Sequence, residues 1–267
     1  MSTDALNALD ALDRLAGLDT PLHRLDARVK ILAALAYIVA VVSFDKYEIA
    51  RLAPFLLLPV LLAVLANIPV ATLFKRSLVA LPVALALAAF NPWLDPQPMA
   101  LAPGWVLGAG WVSLGSVALK AVLAASAAVL LVATCSFPGL CGALRRMGAP
   151  KAFTQQLLYL WRYAGVLAEE AGRLRQARDQ RAFSRPQGPR IAARLIGTLL
   201  VRAMERAERI HAAMLCRGMR DSLPQRQIAP LGWRDAAFLT VALAIVAACR
   251  LLPLTELLGA GLLRGLA

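Results

Sequence analysis

The amino-acid sequence predicts an all-α integral membrane protein with about five transmembrane helices and a pair of long cytoplasmic helices inserted before the last span. Three observations predict this class. Hydrophobic residues make up 60% of the 267 residues, whereas soluble domains are about half apolar. Long runs of the chain carry no charge, and most of the basic residues lie together in one segment.

The uncharged runs define the candidate spans. A helix needs about 20 apolar residues to cross a bilayer, so the shorter runs reach that length only with their flanks. Five spans are expected, at residues 31–44, 52–74, 77–94, 121–144 and 236–248.

The basic residues predict the orientation of these spans. Of the 29 Lys and Arg residues, 18 lie in residues 137–234 beside only six acids, so this segment carries +12 of the net charge of +13. Lys and Arg near spans are retained in the cytoplasm. The segment should therefore be cytoplasmic, with the N-terminus inside, the connector 91–111 outside and the C-terminus outside.

Four regions follow from this topology. Residues 1–28 form a cytoplasmic N-terminal segment, in which leucines at helical spacing indicate a short amphipathic helix. Five aspartates and no continuous apolar core argue against a secretory signal peptide there. Residues 29–136 contain transmembrane helices 1 to 4, residues 137–234 form the cytoplasmic domain, and residues 235–267 form the last transmembrane helix and a short tail. The leucines are Leu6, Leu9, Leu12 and Leu15.

The cytoplasmic domain should contain two long helices. The first is expected over 151–183, between Pro150 and Pro186, and the second from Pro189 to Arg217, with Gly218 as the left-handed residue that ends it. Apolar residues at steps of three and four trace one face of each helix. The first face holds Phe153, Leu157, Leu160, Ala164, Leu167, Ala171 and Leu174, and the second holds Ile191, Leu195, Leu199, Ala203, Ala207, Ile210 and Met214.

Both apolar faces end in arginine. The first continues to Arg178 and then Arg181, and the second to Arg217. A cation at a helix C-terminus complements the helix dipole by about 0.3–1 kcal/mol, which would explain one such residue. Repetition on two apolar faces favours a second interpretation, in which the arginines insert into acidic grooves of a partner and hold carboxylates bidentately.

Several chemistries are disfavoured. The chain has no GxxxxGK[ST] phosphate-binding loop, its histidines, His23 and His211, lie in different segments, and its four cysteines show no CxxC spacing. No metal site and no cofactor are therefore expected from this chain alone. Lys120 lies inside an apolar stretch, where it either extends to the outer interface or contacts a partner or a solute.

The sequence resembles a known family, the transmembrane T subunits of energy-coupling factor transporters, and within it the cobalt-type CbiQ proteins. The similarity covers most of the chain. It rests on four stretches: LHRLDARVK at 22–30, LRRMGAPKAF at 144–153, LYLWRYAGVLAEEAGRLRQARDQRAF at 158–183, and AMLCRGM at 213–219.

The resemblance implies a non-catalytic subunit of an ATP-driven importer in the inner membrane. The partners it implies are two CbiO-like ATPase subunits, a CbiM-like substrate-binding membrane subunit and a small CbiN-like accessory subunit. In that family, short Ala-Arg-Gly-like motifs at the ends of the coupling helices dock in grooves of the ATPase subunits. The matching ATPase-binding residues here are Ala177, Arg178 and Asp179, or Arg181 with Ala182, for the first motif, and Cys216, Arg217 and Gly218 for the second.

Three alternatives remain open. The solute could be cobalt, nickel or a vitamin, because all three importers use a similar subunit. A multi-pass membrane enzyme would need carboxylates, histidine or cysteine at membrane level, and the predicted spans offer Lys120 and little else. Nucleic-acid binding by the basic segment would suit its charge, but the segment lacks interleaved aromatic residues, so no nucleic-acid partner is expected.

Overall fold

The computed structural model describes residues 20–47, 49–94, 98–102, 105–182, 188–219 and 231–251. Most of the expected N-terminal amphipathic helix and the C-terminal tail lie outside these residues. The described part is predominantly helical. Its elements are α1 (Ala27–Val42), α2 (Ile49–Leu52), α3 (Leu57–Leu65), α4 (Val70–Ser77), α5 (Leu81–Ala88), α6 (Asn91–Leu94), β1 (Pro98–Ala102), β2 (Trp105–Gly108), α7 (Ala109–Thr134), α8 (Phe137–Arg146), α9 (Lys151–Arg181), α10 (Pro189–Cys216) and α11 (Trp233–Leu251).

The described residues divide into two compact units. The first, called here the membrane-helix unit, contains residues 20–136 and 231–251. The second, called the long-helix unit, contains residues 137–182 and 188–219. The boundary between residues 136 and 137 falls two residues after the end of α7.

Two helical stretches of the membrane-helix unit are long and apolar enough to cross a bilayer, Val70–Ala88 and Ala109–Thr134. In the most apolar 18-residue segment of each stretch, only 17% and 33%, respectively, is buried inside the protein. The core helix of a soluble protein would be mostly buried, so these two stretches suit a lipid environment. The stretch Ala53–Leu65, in which a 3-10 turn at Ala53–Leu56 leads into α3, is apolar but shorter.

The predicted span 52–74 is wrong as a single helix. α3 ends at Leu65, and Asn67 adopts a left-handed φ of 56°. The amide of Asn67 donates to Val64 and that of Ile68 to Ala63, which closes the helix. Pro69 then precedes α4, so the apolar run is divided between two helices and Lys75 and Arg76 lie within the second.

The predicted span 121–144 also has the wrong bounds, because α7 begins at Ala109 and ends at Thr134. A short antiparallel hairpin, β1 with β2, leads directly into it, so the expected outer connector 91–111 contains regular structure. Lys120 is accommodated inside α7. Its ammonium donates to the backbone carbonyls of Phe44 and Asp45. The charge is therefore accommodated by acceptors within the membrane-helix unit and not only by extension of the side chain to the interface.

The core of the membrane-helix unit is built around α1 and α7, which pack against each other, while α1 also packs against α11. Tyr37 is buried there, and its hydroxyl donates to the carbonyl of Phe55 at 2.8 Å. One apolar cluster contains Tyr37, Val41, Phe44, Leu52, Phe55, Leu123, Ala127 and Val246. A second contains Leu22, Ala63, Ala66, Ile68, Leu73, Leu130 and Ala133.

The two long helices are confirmed with bounds close to those predicted. α9 begins after Pro150 and ends at Arg181, two residues before the expected Phe183. α10 begins at Pro189 and ends at Cys216, with Arg217 as its C-cap. A third helix, α8, precedes them and was not predicted as a separate element. It joins α9 through Gly148, whose φ of 104° suits glycine.

Candidate functional site: the two arginine ends of the long-helix unit

Side-chain contacts between α9 and α10 show that the two helices run antiparallel. Near the start of α9, the Tyr159 hydroxyl lies 3.9 Å from the Met214 sulfur at the end of α10. Further along, Glu170 of α9 accepts a hydrogen bond from Arg202, twelve residues earlier in α10 than Met214. Because each step forward in α9 corresponds to a step backward in α10, the C-terminal ends of the two helices point in opposite directions.

This arrangement separates the two predicted arginine motifs. Arg217 follows Met214 by three residues and therefore lies near the Tyr159 level of the pair. Arg178 lies nineteen helical residues beyond Tyr159, which corresponds to about 28 Å at about 1.5 Å per residue. The structure thus places the first motif and the second motif at opposite ends of one helix pair and does not bring them together.

The first motif lies in the last turn of α9. Arg178 is the less exposed of its two arginines, with 15% of its side chain accessible, and it donates to the Asp179 carboxylate at 2.8 Å. Arg181, the last residue of α9, is exposed, as is Ala177. The Asp179 side chain therefore partly neutralises Arg178, while Arg181 projects from the surface.

The second motif ends α10 in a defined turn. Gly218 has a φ of 79°, and its amide donates to Leu215, while the amide of Met219 donates to Met214. This pair of bonds is the Schellman motif, which requires a left-handed residue at the glycine position. The prediction that Gly218 ends the helix is confirmed. Cys216 and Arg217 are exposed, and within the described residues Arg217 has no ion-pair partner.

Glu170 links the middle of the helix pair. It accepts hydrogen bonds from Arg202 of α10 and, at 2.9 Å, from Arg173 of α9. These bonds, first from Arg202 and then from Arg173, lower the pKa of Glu170 below its usual value of 4.5. Sequence analysis missed this residue; its signal was an acid three positions before an arginine on a helix otherwise rich in cations.

The predicted apolar faces are only partly buried between the helices. The face of α10 is half-buried at Ile191, Leu195 and Leu199, as expected for the side that meets α9. On α9, Phe153 and Leu160 are 55% and 62% exposed, so this part of its apolar face is not covered within the described residues. Sequence analysis also missed a second apolar stripe on α10, formed by Ile196, Leu200 and Met204 at steps of four and exposed at 58–66%.

No candidate metal site occurs in the part of the chain that the structure describes: no three His, Cys, Asp or Glu residues converge there. The membrane-helix unit does contain a cavity of about 60 Å³. Its lining is apolar apart from Lys30, Tyr37 and Thr134, which offer an ammonium and two hydroxyls rather than the carboxylate, imidazole or thiolate ligands of transition metals.

The described residues combine a unit with two helical stretches long and apolar enough to cross a membrane and a unit of two long helices that end at Arg181 and at the C-cap Arg217, features typical of a helical membrane protein. Comparison with known proteins identifies the family. The family described as CbiQ, cobalt transport protein, matches residues 19–227. The chain belongs to the CbiQ cobalt transport protein family, and the resemblance seen in the sequence is confirmed. The CbiQ family is a family of transport components rather than of enzymes.

A curated relative agrees with this family. The chain is 32% identical over 124 residues to the cobalt transport protein CbiQ of Salmonella typhimurium (strain LT2). The aligned part is 43% of this chain and 55% of the relative, so the chain spans about half the length of the curated protein it matches.

Proposed function

We propose that this chain is the transmembrane coupling subunit of an ATP-driven energy-coupling factor importer for cobalt ions. In this scheme two CbiO-like ATPase subunits bind the arginine ends of α9 and α10 on the cytoplasmic side. ATP draws the two subunits together, and the helix pair passes their motion to a CbiM-like membrane subunit, with a CbiN-like accessory subunit in the same complex. The membrane-helix unit crosses the inner membrane five times, with its N-terminus inside.

The observation that carries this proposal is the position of the two arginine motifs at opposite ends of one antiparallel helix pair. A dimer of ATPases presents two copies of the same groove, and one continuous binding patch could not occupy both. Two cationic helix ends, about 33 Å apart along the axis of the pair, provide one contact for each copy. Arginine suits an acidic groove because its guanidinium forms paired hydrogen bonds with a carboxylate.

The distribution of charge supports the cytoplasmic side for these contacts. Residues 137–234 carry most of the positive charge of the chain, and such segments resist translocation. The same charge raises the rate of encounter with acidic surfaces. A reporter fused after Ala267 tests the topology, since an outside C-terminus requires an odd number of spans.

Reversal of one charge tests the docking role directly. Arg217→Glu should reduce co-purification of the ATPase subunits and cobalt uptake by at least tenfold, because it brings a carboxylate against an acidic groove. Arg209→Glu is the matched control: Arg209 lies on the same helix, its side chain is 69% exposed, and it is not at a helix end. Equal loss in the two variants, or undiminished uptake with Arg217→Glu, contradicts docking by Arg217. Measuring uptake with cobalt and nickel in the same vesicles tests the solute.

A further inference from the structure

The C-terminal end of α7 is held by polar side chains from a different part of the membrane-helix unit. The last carbonyls of a helix have no partner inside the helix. Here the buried Lys30 ammonium of α1 donates to the carbonyl of Thr134 at 2.9 Å and to that of His23 at 3.3 Å. A ring nitrogen of His23 lies 3.3 Å from the carbonyl of Ala133. Two backbone acceptors at the end of α7, the carbonyls of Ala133 and Thr134, are thus bound by side chains of the sequence stretch LHRLDARVK.

The end of α1 is held in the same way by residues from α7 and α11. Lys120 of α7 donates to the carbonyls of Phe44 and Asp45, just after α1 ends. Arg250 of α11 donates to the carbonyl of Ser43 at 3.3 Å and stacks over the Phe44 ring at 4.1 Å. Each of the two packed helices therefore supplies a lysine that binds backbone carbonyls at or just beyond the C-terminal end of the other.

The spacing of the two lysines matches along both helices. Fourteen positions separate Lys30 from Phe44, and fourteen separate Lys120 from Thr134, a distance of about 21 Å in a helix. Both lysine bonds can form together only in one register of α1 against α7. A slide of one residue, about 1.5 Å, would stretch both sets of bonds and weaken the hydrogen bond to the buried carbonyl of Thr134, which costs free energy when it is left unpaired.

We propose that Lys30 and Lys120 are positioning residues that lock α1 and α7 in one register, and that Lys30 keeps the last turn of α7 closed where the chain passes into the long-helix unit. This inference rests on the proposed coupling function. Only Cys135 and Ser136 separate the end of α7 from the start of α8. Motion of the long-helix unit therefore acts on the last turn of α7, and a turn that opens there absorbs the displacement.

The test uses the chain assembled with its ATPase and membrane subunits in nanodiscs and vesicles. Lys30→Met removes the cation while keeping most of the side-chain volume. We expect the amides of Thr134 and Cys135 to exchange hydrogen about tenfold faster or more, the scale of a lost charged hydrogen bond. We expect ATPase association and ATP hydrolysis to stay within about twofold, and solute imported per ATP to fall about tenfold. Lys30→Arg, which retains the charge, should recover most of that ratio.

Two further variants separate register locking from general loss of stability. Lys120→Met should accelerate exchange at Ser43 and leave Cys135 protected, and should also lower import per ATP. Lys75→Met, at an exposed lysine of α4, should change neither exchange nor coupling. Unchanged exchange at Cys135 in Lys30→Met, or an unchanged import-to-ATP ratio, overturns the proposal. Failure of the coupling function itself appears differently, as a wild-type chain that does not bind the ATPase subunits.

Discussion

The turn at Gly218 orients Arg217, and replacement of this glycine should loosen that end of α10. Gly218→Ala places a Cβ in a left-handed conformation, with a φ of 79°, and costs about 1–2 kcal/mol. No other atom lies within 4 Å of the added Cβ, so backbone strain accounts for the whole cost. One to two kcal/mol corresponds to about a 5- to 30-fold change in an opening equilibrium.

Hydrogen exchange reads out this change at defined amides. Those of Gly218 and Met219 donate to Leu215 and Met214, so their exchange should accelerate about 5- to 30-fold. Gly197→Ala is the matched control on the same helix. Its added Cβ also meets nothing within 4 Å, but it lies in the helix interior, where alanine should stabilise by about 0.5–1 kcal/mol. Unchanged exchange at Gly218 and Met219, or similar acceleration in both variants, would refute the assigned role of the turn.

Three other predictions concern the same unit. Because the hydrogen bonds from Arg202 and Arg173 lower the pKa of Glu170, the stabilisation they provide is present above pH 4.5 and is lost as pH falls through the lowered pKa. The melting temperature should therefore fall on acidification, and it should fall less in Glu170→Gln. Cys216 is exposed, whereas Cys135 and Cys141 are buried, so a membrane-impermeant maleimide should label Cys216 first in inverted vesicles. Bound ATPase subunits should slow that labelling. Equal labelling rates with and without the ATPase subunits would place Cys216 outside the interface. Arg178→Ala and Arg181→Ala should differ in ATPase association, with the larger loss, tenfold or more, at the residue that docks; equal small effects would contradict a docking role for the first motif.

Local signals in the sequence were sufficient to predict the two long helices of this unit, although not the shorter helix α8. Proline at each helix start and glycine after the second helix act over a few residues, so α9 and α10 were located within two residues of their observed ends. The arginines of both motifs followed from the periodicity of the apolar faces. Their antiparallel placement did not, because it depends on contacts between residues as distant in sequence as Tyr159 and Met214.

The spans were harder to delimit because hydropathy does not report helix ends inside an apolar run. The run 52–74 is interrupted by Asn67 and Pro69, which are turn-forming residues that the apolar average concealed. At the other extreme, α7 extends through Lys120, because the cation finds carbonyl acceptors just after the end of α1. The charge of Lys120 therefore made the predicted span begin too late, and the partner of this lysine could be known only from the packing of the two helices.

The positions of the cross-helix contacts determine how the long-helix unit would respond to force at its ends. Tyr159 contacts Met214 near the Arg217 end, whereas Glu170 binds Arg202 in the middle of the pair. Beyond Glu170, α9 continues for eleven residues to Arg181. Among the described residues, the polar cross-helix contact nearest Arg217 is therefore closer to its arginine than the Glu170 bridge is to Arg178. Weakening the Glu170 bridge should therefore impair transmission from the first motif more than from the second. In Glu170→Gln, an ATPase subunit cross-linked at Cys216 should then retain coupling, whereas one cross-linked at the α9 end should lose it. Equal loss of coupling at both ends would exclude the Glu170 bridge as the contact that transmits motion from the first motif.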